Sequence, residues 1–194
     1  MRRVSIVIEG VAPYLFNGWP GALGDATPRN VEEEIAMGWR RLHKNGQGLF
    51  LPAANLKSAW FEGSKSARSL FNLKRKGGAG IAQYIRSGVF IDPAEVLFER
   101  EEADGLHEKM GRVPPGPKGK AVLLRRPILN EWRLAFDAIV VDPVMTDDEL
   151  QISLQTTGRY IGIGGHRPEY GRFEVTEFKA EPSKAQITYP KEHI

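Results

Sequence analysis

A chain of 194 residues, 41% hydrophobic and 26% charged, can bury a core and suits one domain with excursions or two small ones. It has no cysteine, which excludes disulfides, thiolate metal sites and a cysteine nucleophile and fits a reducing compartment. Net charge is only +3, no run of about 18 apolar residues occurs, and MRRVSIVIEG lacks a signal peptide's apolar core, so a cytoplasmic protein with no membrane partner is expected.

From the N-terminus, Val4, Ile6 and Ile8 alternate with polar residues, which predicts a half-buried strand over 3–9. Pro13 and the Asn17-Gly18 pair break it, and 20–29 reads as a loop. Asn30 then caps a helix, with Glu33 completing a capping box, Val31, Ile35, Trp39 and Leu42 on the apolar face and Gly46 at the end. Trp39 is expected in the core, and His43 as a cation favoured by the helix C-terminus. Leu49 to Leu51 forms a short strand that Pro52 stops. A second helix follows, with Leu56, Ala59, Trp60, Gly63 and Ala67 on one side, and its small residues let another backbone approach closely.

KRKGGAG, 74–80, reads as a basic loop, and 88–98 as one or two strands broken at Pro93. Residues 99–120 lack apolar periodicity and contain VPPGPKGK, so an extruded loop or hairpin is expected there. Strand returns with Trp132, Leu134, Phe136 and Ala138. Thr146 to Glu149 is a capping box for a helix with Leu150 and Leu154 inward and Gly158 as its C-terminal cap. A last strand starts at Phe173, and 182–194 reads as a loosely held tail. The order of elements fits an α+β fold with a ferredoxin-like (RRM-like) βαββαβ core. RNA-binding versions use the open sheet face and its loops.

Charge is distributed in blocks. Seven bases (Lys57, Lys65, Arg68, Lys74, Arg75, Lys76, Arg86) face one acid, Glu62, over 57–86. Seven acids face only Arg100 over 89–108, and six bases (Lys109, Arg112, Lys118, Lys120, Arg125, Arg126) face no acid over 109–126. Basic blocks suit a polyanion, although a solvated surface carries such blocks too.

The stretch GRYIGIGGHRPEYGRFEV, 158–175, places glycines and arginines between a helix and a strand. Gly162 and Gly164 let backbone N–H groups approach a ligand, successive free N–H groups form an anion nest, and Arg167 and Arg172 can clamp a phosphate. The loop lacks Gly-Lys-Ser/Thr and fails G-x-G-x-x-G at Arg167, so no nucleotide cofactor is expected. Taken alone, the glycines also suit a tight packed connection. Trp19, Phe61 and Tyr170 are candidate stacking platforms, with Phe61 equally suited to the core.

These residues resemble a family, the CRISPR-associated RAMP superfamily. GIGGHRPEYGRFEV is similar to its glycine-rich loop and last strand, LFLPAANLKSAWFEGSK to its strand, proline turn and helix, and VSIVIEGVAPYLFNG to its opening strand. The matches fall in the family's order and are most similar to effector-complex backbone subunits. That resemblance implies a single domain over 1–181 with a thumb insertion at about 99–126. It also implies a guide RNA as partner, with copies of the chain or other effector subunits multimerising along it. RNA contacts would come from Lys57, Lys65, Arg68, Lys74, Arg75 and Lys76, from Gly162, Gly164, His166, Arg167, Tyr170 and Arg172, and from the thumb residues Lys109, Arg112, Lys118, Lys120, Arg125 and Arg126. A stand-alone or mobile-element relative fits the same residues, and single-stranded DNA stays open beside RNA.

Some members of the family cleave RNA, for which Asp25 or His166 is the candidate here, although Asp25 also suits a turn and His166 has no catalytic partner identifiable in the sequence. No histidine spacing suits a metal. A third reading is a viral or mobile-element module for protein interaction or self-assembly, its basic surface meeting acidic protein or the acidic and basic blocks of 89–126 meeting head to tail.

Overall fold

A computed structural model describes residues 1–18, 31–71, 80–113, 120–141 and 144–181. The chain is a mixed α+β protein with antiparallel sheets and four α-helices among the described residues. The main sheet has the order β10-β1-β9-β5, from β1 (Arg2–Gly10), β5 (Val89–Asp92), β9 (Arg133–Val140) and β10 (Phe173–Ala180). All its pairings are antiparallel, and β10 shifts register at Val7/Ile8 of β1. Val4, Ile6 and Ile8 point to one face with Leu134, Phe136, Ala138 and Val140, all buried.

Helices α2 (Ala53–Leu70), α3 (Ile81–Gly88) and α4 (Asp147–Thr156) supply Leu56, Trp60, Ile81, Ile85, Leu150 and Leu154 to the same core. Trp60 is fully buried, and its Nε1 donates to Ser153 Oγ at 2.7 Å, so α2 and α4 are joined by a polar bond inside an apolar layer. The expected capping box at Thr146 and Glu149 is formed in both directions. Helix α3 has no counterpart in the sequence analysis, because only Ile81, Ala82 and Ile85 mark its short buried face and a glycine run precedes it.

Two small sheets flank this layer. In one, β3 (Lys44–Asn45) pairs β4 (Gly48–Pro52), which pairs β6 (Glu95–Leu97). In the other, β7 (Gly105–Val113) and β8 (Lys120–Leu129) form a long hairpin in unbroken register, and β2 (Tyr14–Leu15) joins the base of β8. The excursion is therefore a hairpin, and it extends past Arg126 to Leu129. Pro127 hides this in the sequence, but in the structure its carbonyl accepts from Phe16 N–H at 2.9 Å.

Three local expectations are corrected. Helix α1 (Val31–Trp39) does not reach Gly46, because Gly18 N–H bonds the Arg41 carbonyl at 2.9 Å and Lys44–Asn45 is taken by strand pairing. Ile35 and Trp39 are 38% and 39% exposed, because α1 lies against β8, with Gly38 close to Arg125, and not over the core. Gly158 does not cap α4. The chain continues as a π turn over Thr157–Ile161, closed by Gly162 N–H on the Thr157 carbonyl at 2.8 Å, and Gly162 takes the positive φ of 72°. The tail at 182–194 and the loops at 20–29 and 74–79 lie outside the described residues.

The small-residue stripe on α2 has a specific use. A Cβ at Gly63 would lie 2.6 Å from Thr157 Cα and overlap its side chain, so α2 touches the π turn backbone to backbone. Gly63→Ala therefore sets two effects against each other. Helix propensity favours alanine by about 1 kcal/mol. Overpacking costs about 1–3 kcal/mol, and here part of the obstruction is backbone, which cannot swing away. A net loss of stability is expected in urea unfolding, and a stabilised variant would contradict the close approach.

Candidate nucleic-acid interface

The open face of the main sheet carries its charges in pairs. Arg3 bonds Asp137 at 2.7 Å and lies 3.7 Å from Asp92. Arg133 lies 3.8 Å from Glu9 and 3.4 Å from Glu99, and Lys179 pairs Glu177 at 2.5 Å. The arginines and lysine of this face are thus matched by carboxylates.

The same pairing accounts for most of the acidic block at 89–108. Asp92, Glu99, Asp104 and Glu108 meet Arg3, Arg133, Arg100 and Arg125 respectively, and Glu95 accepts from Asn45 Nδ2 at 2.6 Å. Arg125 is 8% exposed and bonds Glu108 at 2.6 Å, so it braces the hairpin and is not a surface thumb contact.

The glycine loop is tied down by its own backbone. Gly162, Ile163, Gly165 and Gly171 donate their N–H groups to the carbonyls of Thr157, Gly171, Leu15 and Pro13 at 2.8 to 2.9 Å. Those donors cannot form the expected anion nest. Gly164 has φ of 82°, and a Cβ there would lie 2.6 Å from the Leu15 carbonyl and from the Tyr14 ring. The packing role of these glycines is therefore direct.

What the loop presents is its side chains. Asn17, Arg126, Gly164, Gly165, His166 and Arg167 line an open depression of about 410 Å³ beside Glu62 and Tyr160. Arg126 comes from β8, and its guanidinium donates to Asn17 Oδ1 while its Nε has no protein partner. Arg167 lies 3.4 Å from Glu62 on α2. His166 stands at φ 54°, an uncommon conformation for a non-glycine residue, and its buried Nε2 has no hydrogen-bond partner. His107 of β7 and Tyr170 complete a ring cluster, with the Tyr170 hydroxyl 3.3 Å from His107 Nε2 and the two imidazole centroids 6.5 Å apart.

The electrostatics of the depression agree. Burial, then the neighbouring Arg41, push Arg126 below its usual value. Burial, then Arg126, Lys109 and His107, push His166 below the usual histidine value, and only Glu169 opposes them. Arg41 and the cations of the hairpin thus crowd this depression, a field that favours an anion.

A second basic strip runs along α2. Lys57 Nζ lies 4.5 Å from the Phe90 ring centre, and Lys65 Nζ and Arg86 Cζ lie 4.3 and 5.5 Å from that of Phe61. Phe61 is half-buried with its ring under cations. Arg68 packs against Gly80 at the start of α3. Arg172 lies apart from Arg167, lining a different cleft, so the two do not form one clamp. Lys109 pairs with Glu169 at 3.5 Å. Trp19, Asp25, Lys74, Arg75, Lys76 and Lys118, and the side chains of Arg112 and Lys120, lie outside the described residues. Asn17, Arg41, His107 and Tyr160 were missed in the sequence, because each reaches the site through tertiary contact and not through a local pattern. No group of three metal-ligating side chains occurs among the described residues, and no described helix is long and apolar enough to cross a membrane.

No family model and no curated protein matches this sequence. A similar solved structure is a chain of the Type III-B Cmr-beta bound to cognate target RNA, determined by cryo-EM, with 14% identity and a TM-score of 0.52. The likeness covers 92% of this chain and 60% of that one, so this chain spans less than two thirds of its neighbour's length. At that identity the likeness is one of fold.

His43 is also held below the usual histidine value, by burial, beside the rings of Phe16 and Phe50. It is a packed imidazole, not the helix-end cation expected. When only the folded form resists protonation, the unfolded chain binds more protons. Stability is then full above the unfolded histidine value, about pH 6.5, and falls as pH drops below it. Urea midpoints should decline from about pH 7.5 to about pH 5.5. His43→Gln and His166→Gln should each flatten that decline, and a profile unchanged in both would contradict the assignment.

Proposed function

We propose that this chain is a non-catalytic single-stranded RNA-binding protein, a ferredoxin-like, backbone-type subunit of a CRISPR effector complex that lines up with copies of itself or other subunits along a guide RNA. The single observation that carries the reading is the depression where Arg126, His166 and Arg167 converge from the hairpin and the glycine loop. Phosphate recognition requires several cations on one track, and the α2 strip supplies Lys57, Lys65 and Arg86 beside aromatic rings. The strand order β10-β1-β9-β5, with α2 after the first strand and α4 after the third, supports the ferredoxin-like core. The fold likeness to a chain of an RNA-bound assembly supports the same direction. In this reading the hairpin acts as the thumb and the protein needs no cofactor.

One observation favours a second reading, RNA cleavage. His107 and Tyr170 stand with ring centres 6.5 Å from that of His166, neighbours that the sequence did not reveal. A neutral His166 could take the proton of a 2′-hydroxyl.

The test is fluorescence anisotropy with a labelled RNA of about 30 nucleotides and its DNA counterpart across a salt series. RNA affinity should fall steeply with salt. Arg126→Ala should weaken binding and reduce the slope of log affinity against log salt by about 0.7, as for one phosphate contact on a single strand. Absence of binding at low salt would sink the proposal. Cleavage products that disappear in His166→Gln would replace it with the second reading.

A further inference from the structure

A cleft of about 480 Å³ opens where the π turn meets the start of β10 and the end of α2, and the basic depression does not include it apart from one shared residue. Its walls include Phe71, Arg159, Tyr160, Arg172, Val11 and Glu174. Phe71, Tyr160 and Val11 are 51%, 48% and 54% exposed, an unusual concentration of apolar surface in water.

Local structure explains why these groups stand out. The π turn adds one residue to the helical turn after α4, so Arg159 and Tyr160 are carried outward while Thr157 and Gly158 stay buried against α2 and β10. Such turns recur at functional sites. The Arg172 carbonyl accepts from Val11 and Ala12 N–H at 2.9 and 3.3 Å, which fixes the backbone from which that guanidinium projects.

Unpaired charge marks this cleft, as it marks Arg126 in the depression. Arg3, Arg100, Arg125, Arg133 and Arg167 all meet carboxylates, whereas Arg159 and Arg172 pair with none among the described residues. Two flat rings and two unpaired guanidinium groups in one cleft match a planar, weakly polar group attached to an anion. A nucleobase with its phosphate has that chemistry, and the volume lies in the usual range of ligand clefts. Tyr160 also lines the basic depression, so the cleft and the depression adjoin at this residue.

We infer that this cleft holds one base of the bound single strand, stacked on Phe71 or Tyr160, with Arg159 and Arg172 on the adjoining phosphates. The inference rests on the proposed strand binding and adds to it a base-holding site that lies off the glycine loop.

The experiment measures affinity for an oligoadenylate RNA of about 12 nucleotides and for an abasic strand of equal length, each across a salt series. Wild type should prefer the base-bearing strand by about tenfold, since stacking needs a base. Phe71→Ala with Tyr160→Ala should abolish that preference and leave the salt slope, which counts phosphate contacts, unchanged. Tyr160→Phe should retain the preference. Arg159→Gln with Arg172→Gln should instead weaken both strands and lower the slope. If the aromatic double variant keeps the wild-type preference while Arg126→Ala still weakens binding, the cleft assignment is overturned and strand binding stands. If wild type binds neither strand, both fail together. A melting shift with adenosine monophosphate in a protein that binds neither strand assigns the cleft to a free nucleotide and likewise overturns it.

Discussion

The structure depends on one short stretch of backbone, Val11 to Phe16. Its carbonyls at Ala12, Pro13 and Leu15 accept from Trp132 Nε1, Gly171 N–H and Gly165 N–H at 2.8 to 2.9 Å. Its N–H groups at Val11 and Phe16 donate to Arg172 and Pro127, both at 2.9 Å. One extended segment therefore binds the glycine loop on one side and the hairpin base on the other. Each bond is worth about 1 kcal/mol net, but leaving any of these groups unpaired would cost about 1–3 kcal/mol, so the segment and its partners form together.

Aromatic packing makes that junction rigid. Tyr14 meets Phe98 and Phe16 with centroids 4.8 and 4.9 Å apart, and Trp132 meets Tyr14 and Phe173 at 5.8 and 6.3 Å. These rings come from the first strand's continuation, the β6 region, the turn before β9 and the start of β10. The same Tyr14 ring excludes a side chain at Gly164. The glycines thus shape a loop whose side chains, not its amides, face outward. This packing holds Arg126 of the hairpin beside His166 and Arg167 of the loop, although Arg126 repels the charged form of His166.

Charge follows the same division. The open sheet face and the acidic block neutralise themselves through pairs such as Arg3–Asp137 and Arg125–Glu108. An exposed pair such as Arg3–Asp137 adds little stability, about 0 to 1 kcal/mol, but pairing removes all these groups from competition for a polyanion. The cations left over lie on α2, at Arg126 of the hairpin and in the cleft beside Tyr160.

Much was legible in the sequence. The alternation of Val4, Ile6 and Ile8 gave β1, the Thr146–Glu149 box gave the start of α4, and the Ala59, Gly63, Ala67 spacing gave a helix with a close neighbour, because these patterns are local and follow the period of the element. The excess of bases at 57–86 and the glycine-and-arginine loop at 158–175 drew attention to the parts that line the site. Tertiary structure alone decided the rest. Trp39 stays 39% exposed on a helix that meets the hairpin through Gly38, α4 runs into a π turn whose Thr157 meets Gly63, and Arg167 and Arg172 separate into two sites. The Gly162 amide, expected to hold an anion, is bonded to Thr157, the Gly165 and Gly171 amides are bonded to Leu15 and Pro13, and His166 gains His107 across 59 residues of chain. Periodicity fixes which face of an element is apolar, but which element covers that face, and which charges are then left unpaired, depends on long-range contacts with no local signature.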